Sequence, residues 1–149
     1  MIKRNLHIAA ILSIVLLAMA CNKSQVRTNR IDGTWDVTRV ETVSADGTSS
    51  VSTDPDGSFT FDKCNIADDD YCNYTQQTSY TIGSTVFTTN ASGLYRFDDE
   101  GKTLVIREGN EDGTYDETRY TVLSFKRKKL ELQDTADDGA RTLYTLEKN

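Results

Sequence analysis

TLVIREGNEDGTYDETRYTVLSF, residues 103–125, holds two β-type runs around a single turn. Leu104 and Ile106 stand two positions apart in residues 103–108, as do Tyr120 and Val122 in residues 115–125, among mainly polar neighbours. Successive side chains of a strand point to opposite faces, so this spacing gives each run one apolar and one wet face. Between them Asp112-Gly113 supplies a glycine for a tight turn that needs positive φ. The stretch therefore predicts an antiparallel hairpin.

The same grammar extends over most of the chain. Asp32-Gly33, Asp46-Gly47, Asp56-Gly57 and Asp138-Gly139 repeat the turn signal, and Glu100-Gly101 is similar. Further β-rich runs are read at 34–43, 58–62, 73–82, 85–89, 93–98, 129–133 and 141–147, with period-two pairs at Phe59/Phe61, Tyr95/Phe97, Leu130/Leu132 and Tyr144/Leu146. Together these make nine candidate runs, and short ones can be continuous across a bend, which leaves about eight. No long helical pattern intervenes. An all-β, antiparallel meander of this size must hide its edges, and closure into an up-and-down barrel removes them. A two-sheet β-sandwich is the alternative.

The N-terminus carries an address. Lys3 and Arg4 precede an apolar run at 8–20, and Ala18-Met19-Ala20 stands before Cys21, the layout of a secretory signal peptide over residues 1–20. The run is too short to span a bilayer core of about 30 Å as a mature helix. The segment resembles a bacterial lipoprotein signal, in which Cys21 receives lipid and becomes the first mature residue. That resemblance implies a chain anchored in the cell envelope, at the outer membrane. Ala18-Met19-Ala20 is also an ordinary Ala-x-Ala cut site, which would release a soluble chain with a free Cys21. Residues 21–30, polar and without apolar periodicity, are expected to form a flexible tether; Lys23, Arg27 and Arg30 lie in it.

Composition narrows the chemistry. The formal charge of −6 becomes −8 once Lys3 and Arg4 are removed, and so acidic a chain lacks the basic footprint that nucleic acid requires. The one histidine, His7, lies in the signal segment, so residues 21–149 have no imidazole for a catalytic triad or a zinc site. No phosphate-cradling loop, nucleophile elbow or dinucleotide fingerprint is present, and the chain is expected to be no enzyme and to hold no metal or cofactor.

Cys21, Cys64 and Cys72 make an odd count for an exported protein. Lipid on Cys21 leaves Cys64 and Cys72 as a disulfide pair, worth roughly 2.5 kcal/mol on loop entropy; two buried free thiols are the competing reading. Asp68-Asp69-Asp70 offers oxygen ligands for calcium but reads better as a solvated loop. Residues 108–116 echo a calcium-loop spacing, yet the position for the closing glutamate is Arg119, so a hairpin turn is the better account. The basic run from Lys126 to Lys129 reads as a turn kept soluble by its charge.

Gly33-Thr34-Trp35 resembles the Gly-x-Trp motif that opens the first strand of lipocalins and of shorter bacterial lipocalin-like domains. The resemblance implies a barrel over 31–149 with Trp35 closing one end beneath an arginine of the last strand, for which Arg141 is the candidate. It also implies a small apolar or amphipathic ligand, with Phe59, Phe61, Tyr80, Phe87, Tyr95, Phe97 and Tyr120 lining or filling the interior. The expected function is thus a membrane-anchored, lipocalin-like envelope lipoprotein. A structural or protein-interaction module is the alternative, docking through a strand edge or the Cys64–Cys72 loop.

Overall fold

The computed structural model describes residues 23–66 and 70–149. The signal segment, Cys21, Asp68 and Asp69 lie outside the described residues. A helix α1 (Lys23–Ile31) leads into β1 (Gly33–Val43), β2 (Ser49–Val51), β3 (Thr53–Phe61), β4 (Cys72–Ile82) and β5 (Thr85–Asp98). A short 3-10 turn (Asp99–Gly101) then precedes β6 (Thr103–Gly109), β7 (Tyr115–Phe125), β8 (Lys129–Thr135) and β9 (Arg141–Lys148). Each strand from β3 to β8 pairs antiparallel with the next, β3 pairs with β1, and β1 closes the ring on β9 from Trp35↔Lys148 to Val43↔Arg141. The fold is a closed eight-stranded meander barrel, with β2 as an extra strand on the far end of β1. The runs expected separately at 85–89 and 93–98 form one strand, β5, because residues 90–92 continue the pairing with β4 without a break.

Two sequence expectations are corrected here. Asp56-Gly57 is not a turn but lies inside β3, where the register with β4 shifts between Thr53 and Asp56. Pro55, which has no N–H to donate, sits in this irregularity, and Gly57 is required both by its φ of 102° and because a Cβ there would lie 1.9 Å from the Gln77 carbonyl oxygen. The stretch expected to be a tether is helical from Lys23. Its buried residues are Thr28 and Ile31, and Gln25 reaches across to the Cys64–Cys72 loop, donating to the Cys64 carbonyl at 3.1 Å and accepting from the Ile66 amide at 2.9 Å. A helix that docks through Gln, Thr and a single Ile carries no apolar stripe to read.

Alternation along the strands fills the barrel with Trp35, Val37, Val40, Phe59, Phe61, Tyr74, Tyr95, Leu104, Ile106, Leu130, Leu132 and Leu146, all buried. Two bulges re-phase it. Val37 pairs with Leu146 but Arg39 with Thr145, so Thr38 is extra and Val40 recovers the inward position; Leu123 plays the same part between Val122 and Ser124, and Phe125 turns in.

The two ends of the barrel differ. At one, α1 forms a plug: the indole Nε1 of Trp35 donates to the Ile31 carbonyl at 2.6 Å, satisfying an acceptor that the helix end leaves open. The disulfide Cys64–Cys72, with Cα atoms 5.5 Å apart, closes the adjoining loop, and the Tyr95 hydroxyl donates to the Asp62 carbonyl at 2.9 Å. Arg141 is not the partner of Trp35. The antiparallel register sets Arg141 opposite Val43, a strand length away, and it is Lys148 whose Nζ lies 5.3 Å from the Trp35 ring centroid.

The other end is rimmed by three copies of one turn, at residues 44–48, 110–114 and 136–140. In each the first N–H donates to the last carbonyl and the glycine N–H to the first carbonyl, at 2.8–3.0 Å. The aspartate of each turn, Asp46, Asp112 or Asp138, accepts from the last backbone amide at 2.9 Å. Three of the Asp-Gly pairs thus mark one end of the molecule, whereas Asp32-Gly33 opens β1 at the plugged end, and residues 108–116 contain a hairpin turn.

Candidate functional site

Seven aromatics are expected from the sequence to line the interior, and the barrel divides them. Phe59, Phe61, Tyr95 and Phe97 join a packed chain toward the plug, with centroid separations of 6.2 Å for Phe59–Phe61, 5.1 Å for Phe61–Tyr95 and 6.4 Å for Tyr95–Phe97. Phe97 continues to Phe125 at 6.1 Å, and Phe125 meets Trp35 edge-on at 5.9 Å. Edge-to-face and offset contacts of this kind stabilise a dry core beyond area burial alone. This half is filled by its own side chains.

Tyr80, Phe87 and Tyr120 gather around Tyr144 toward the open end. Tyr80 stacks on Phe87 at 5.3 Å, and both Tyr80 and Tyr120 meet Tyr144 edge-on, at 6.3 and 6.2 Å. Phe87 shares the inward face of β5 with Tyr95 and Phe97, yet it remains 42% exposed. The reason is length: β5 pairs with β6 only from Leu94 to Asp98, so its first half runs on past the wall formed by β6.

Polar groups enter this end from positions that aromatic content alone does not flag. Alternation along β4 carries Cys72, Tyr74, Gln76, Thr78 and Tyr80 inward; Gln76 and Thr78 are buried and joined at 3.3 Å. Glu108 follows Leu104 and Ile106 on the inner face of β6 and accepts from the Tyr74 hydroxyl at 2.7 Å. Gly93 pairs with Tyr74 and contributes no side chain, which leaves room for that bond. Asp134 follows Leu130 and Leu132 in the same way on β8. The period-two signal that locates the strands reaches Gln76, Thr78, Glu108 and Asp134 as well, once it is followed past the last apolar residue.

Burial, first of all, pushes the phenols of Tyr74, Tyr120 and Tyr144 far above the ordinary tyrosine value, reinforced by the Glu108 hydrogen bond at Tyr74, the Asp134 charge at Tyr120 and the Tyr80 hydroxyl at Tyr144. They are therefore neutral hydrogen-bonding groups with polarisable faces. At the rim, hydrogen bonds from Thr48 and Thr114 hold the Asp46 and Asp112 carboxyls below the usual range, so they stay charged.

A cleft of about 530 Å³ opens on the outer wall instead, between the two bulges, with Leu123 and Leu143 among its lining. None of the seven expected aromatics reaches it. Four of its rim charges pair with one another, Arg39 with Glu41 at 2.9 Å and Lys129 with Glu131 at 2.8 Å. The open end joins accessible aromatic surface to inward carboxylates, and it is the better candidate.

No protein-family model matches the sequence, and none of the curated proteins compared is similar to it. Among solved structures the chain is similar to a redesigned β-barrel, with 18% identity over 83% of this chain and 95% of that one and a TM-score of 0.45.

Proposed function

We propose that this chain is a bacterial cell-envelope lipoprotein, anchored at the outer membrane through lipid on Cys21, whose barrel holds a small amphipathic molecule at its open end. The observation that carries the ligand reading is Phe87, an inward-facing aromatic stacked on Tyr80 yet 42% exposed. Such a platform at a barrel mouth, with hydroxyls and carboxylates alongside, suits an apolar body with a polar group. The role is binding rather than catalysis, in keeping with a sequence that has no histidine after His7. The anchor reading rests on Ala18-Met19-Ala20-Cys21 and on the cysteine count, since the Cys64–Cys72 disulfide leaves Cys21 as the one remaining thiol.

Native mass spectrometry of the exported protein should find a bound small molecule, and fatty acids, haem or quinones should raise its melting temperature. Phe87→Ala should abolish the shift while leaving the barrel folded. No adduct and no shift with any of these would sink the ligand reading. Incorporation of labelled fatty acid, lost in Cys21→Ala, tests the anchor separately.

A second reading, docking of a protein partner, is favoured by the β5 edge. Its first half bonds only to β4, and residues 71–95 contain no charged side chain to deter strand addition. Crosslinking in intact cells, repeated with Thr88→Lys on that edge, separates the two: loss of a specific partner supports docking.

A further inference from the structure

We propose that the plugged end of the barrel is a docking face for anionic phospholipid headgroups. Six cations from three separate elements meet there: Arg27 and Arg30 of α1, Lys126, Arg127 and Lys128 of the turn between β7 and β8, and Lys148 at the end of β9. Direct contacts join the three elements. The guanidinium carbons of Arg27 and Arg30 lie 5.1 and 5.3 Å from the Phe125 ring centroid, and Phe125 leads directly into the turn. Lys148 donates its amide to the Lys128 carbonyl at 3.1 Å and its Nζ to the Arg30 carbonyl at 3.2 Å.

None of the six makes an ion pair among the described residues, although the chain has more acids than bases. Lys23, Arg39, Arg96, Arg107, Arg119 and Lys129 find carboxylates, while Lys63, Lys102 and Arg141 also make no ion pair among these residues but do not join this group of contacts. A lysine-rich turn by itself is a device for solubility, but that need does not explain Arg27 and Arg30, which come from a different element to the same face. The opposite end carries the reverse charge, with Asp46, Glu111, Asp112, Asp137 and Asp138 in its turns. Asp32, Asp62, Asp99 and Glu100 also lie at the plugged end, so an anionic surface would attract the face of it formed by α1, the β7–β8 turn and the end of β9, and would repel the opposite end, which fixes orientation as well as affinity. The chain also arrives at this end: Cys21 lies two residues before Lys23. The proposal does not depend on acylation or on a ligand in the mouth, and its test omits both.

The test is flotation of the exported Cys21→Ala chain, which has no acylation site, with phosphatidylglycerol vesicles and with phosphatidylcholine vesicles. The chain should bind only the anionic vesicles and release them at high salt. The double variant R127E/K128E, altered at two exposed turn positions, should weaken binding at least about tenfold with an unchanged far-UV spectrum. E111K/D137K, at the other end and several Debye lengths of strand away, should leave affinity within roughly twofold. Equal binding to both vesicle types, binding to neither, or undiminished binding by R127E/K128E overturns the proposal. So does preference for a soluble anionic polysaccharide over the vesicles, which would assign the face to a glycan.

Discussion

Gly93 and Gly47 are glycines for different reasons, and substitution tells them apart. A Cβ on Gly93 would lie 2.3 Å from the Arg107 carbonyl oxygen, a clash with backbone that no side-chain movement relieves. Gly93→Ala is expected to destabilise the barrel by about 2–4 kcal/mol in chemical denaturation. Gly47, at φ 87°, has open space around it, so Gly47→Ala meets only the left-handed backbone penalty, about 1–2 kcal/mol. Equal costs at the two sites would contradict this account. Trp35→Phe keeps an aromatic ring but strips the N–H, leaving the Ile31 carbonyl unpaired in the core; a loss of about 1–3 kcal/mol is expected in the same assay. The Gly-x-Trp motif thus acts here through a hydrogen bond to the helix plug and a lysine at its ring.

Among the elements, the plug and its loop are joined by one side chain. Gln25 occupies the Cys64 carbonyl and the Ile66 amide together, much as a neighbouring strand would. In Gln25→Ala, hydrogen exchange at the Ile66 amide should rise at least about tenfold while β6 amides keep their protection; uniform change would mean the clamp is not local. Replacing both Cys64 and Cys72 by alanine should cost about 2–3 kcal/mol through the freed loop. The strands are legible in the sequence because each sets apolar residues at alternate positions, and even the bulges leave a trace in Trp35, Val37, Val40 and in Tyr120, Val122, Phe125. Helix α1 is not legible, since its contacts run through Gln25, Thr28 and arginine guanidinium groups over Phe125, which hydropathy scores as solvent-facing. Asp56-Gly57 misleads because a glycine required by a close backbone approach looks like one required by a turn. The split of the aromatics into a packed half and an open half depends on strand register and on β5 outrunning β6, both non-local, so composition can name the residues but not sort them.

At the scale of the whole molecule, the buried phenols predict how the fold fails in alkali. Tyr74, Tyr95, Tyr120 and Tyr144 are all pushed up by burial. Below the ordinary tyrosine value of about 10, folded and unfolded chains both keep these protons, and stability does not respond. Above it the unfolded chain releases them while the folded chain holds them, so stability falls as pH rises. The absorbance of these four phenols should therefore rise in one cooperative step with loss of near-UV circular dichroism above about pH 10, apart from the signal of exposed Tyr115; ionisation of all the tyrosines with the fold intact would refute this. The pairing of β1 with β9 has a kinetic consequence. Trp35 must wait for Lys148, so the seam cannot close until β9 has been made, and every earlier intermediate exposes β1 and the newest strand as bare edges. Such a ring has no half-finished stable form. Deleting residues 141–149 should drive the chain into aggregate, although it removes only one strand in eight.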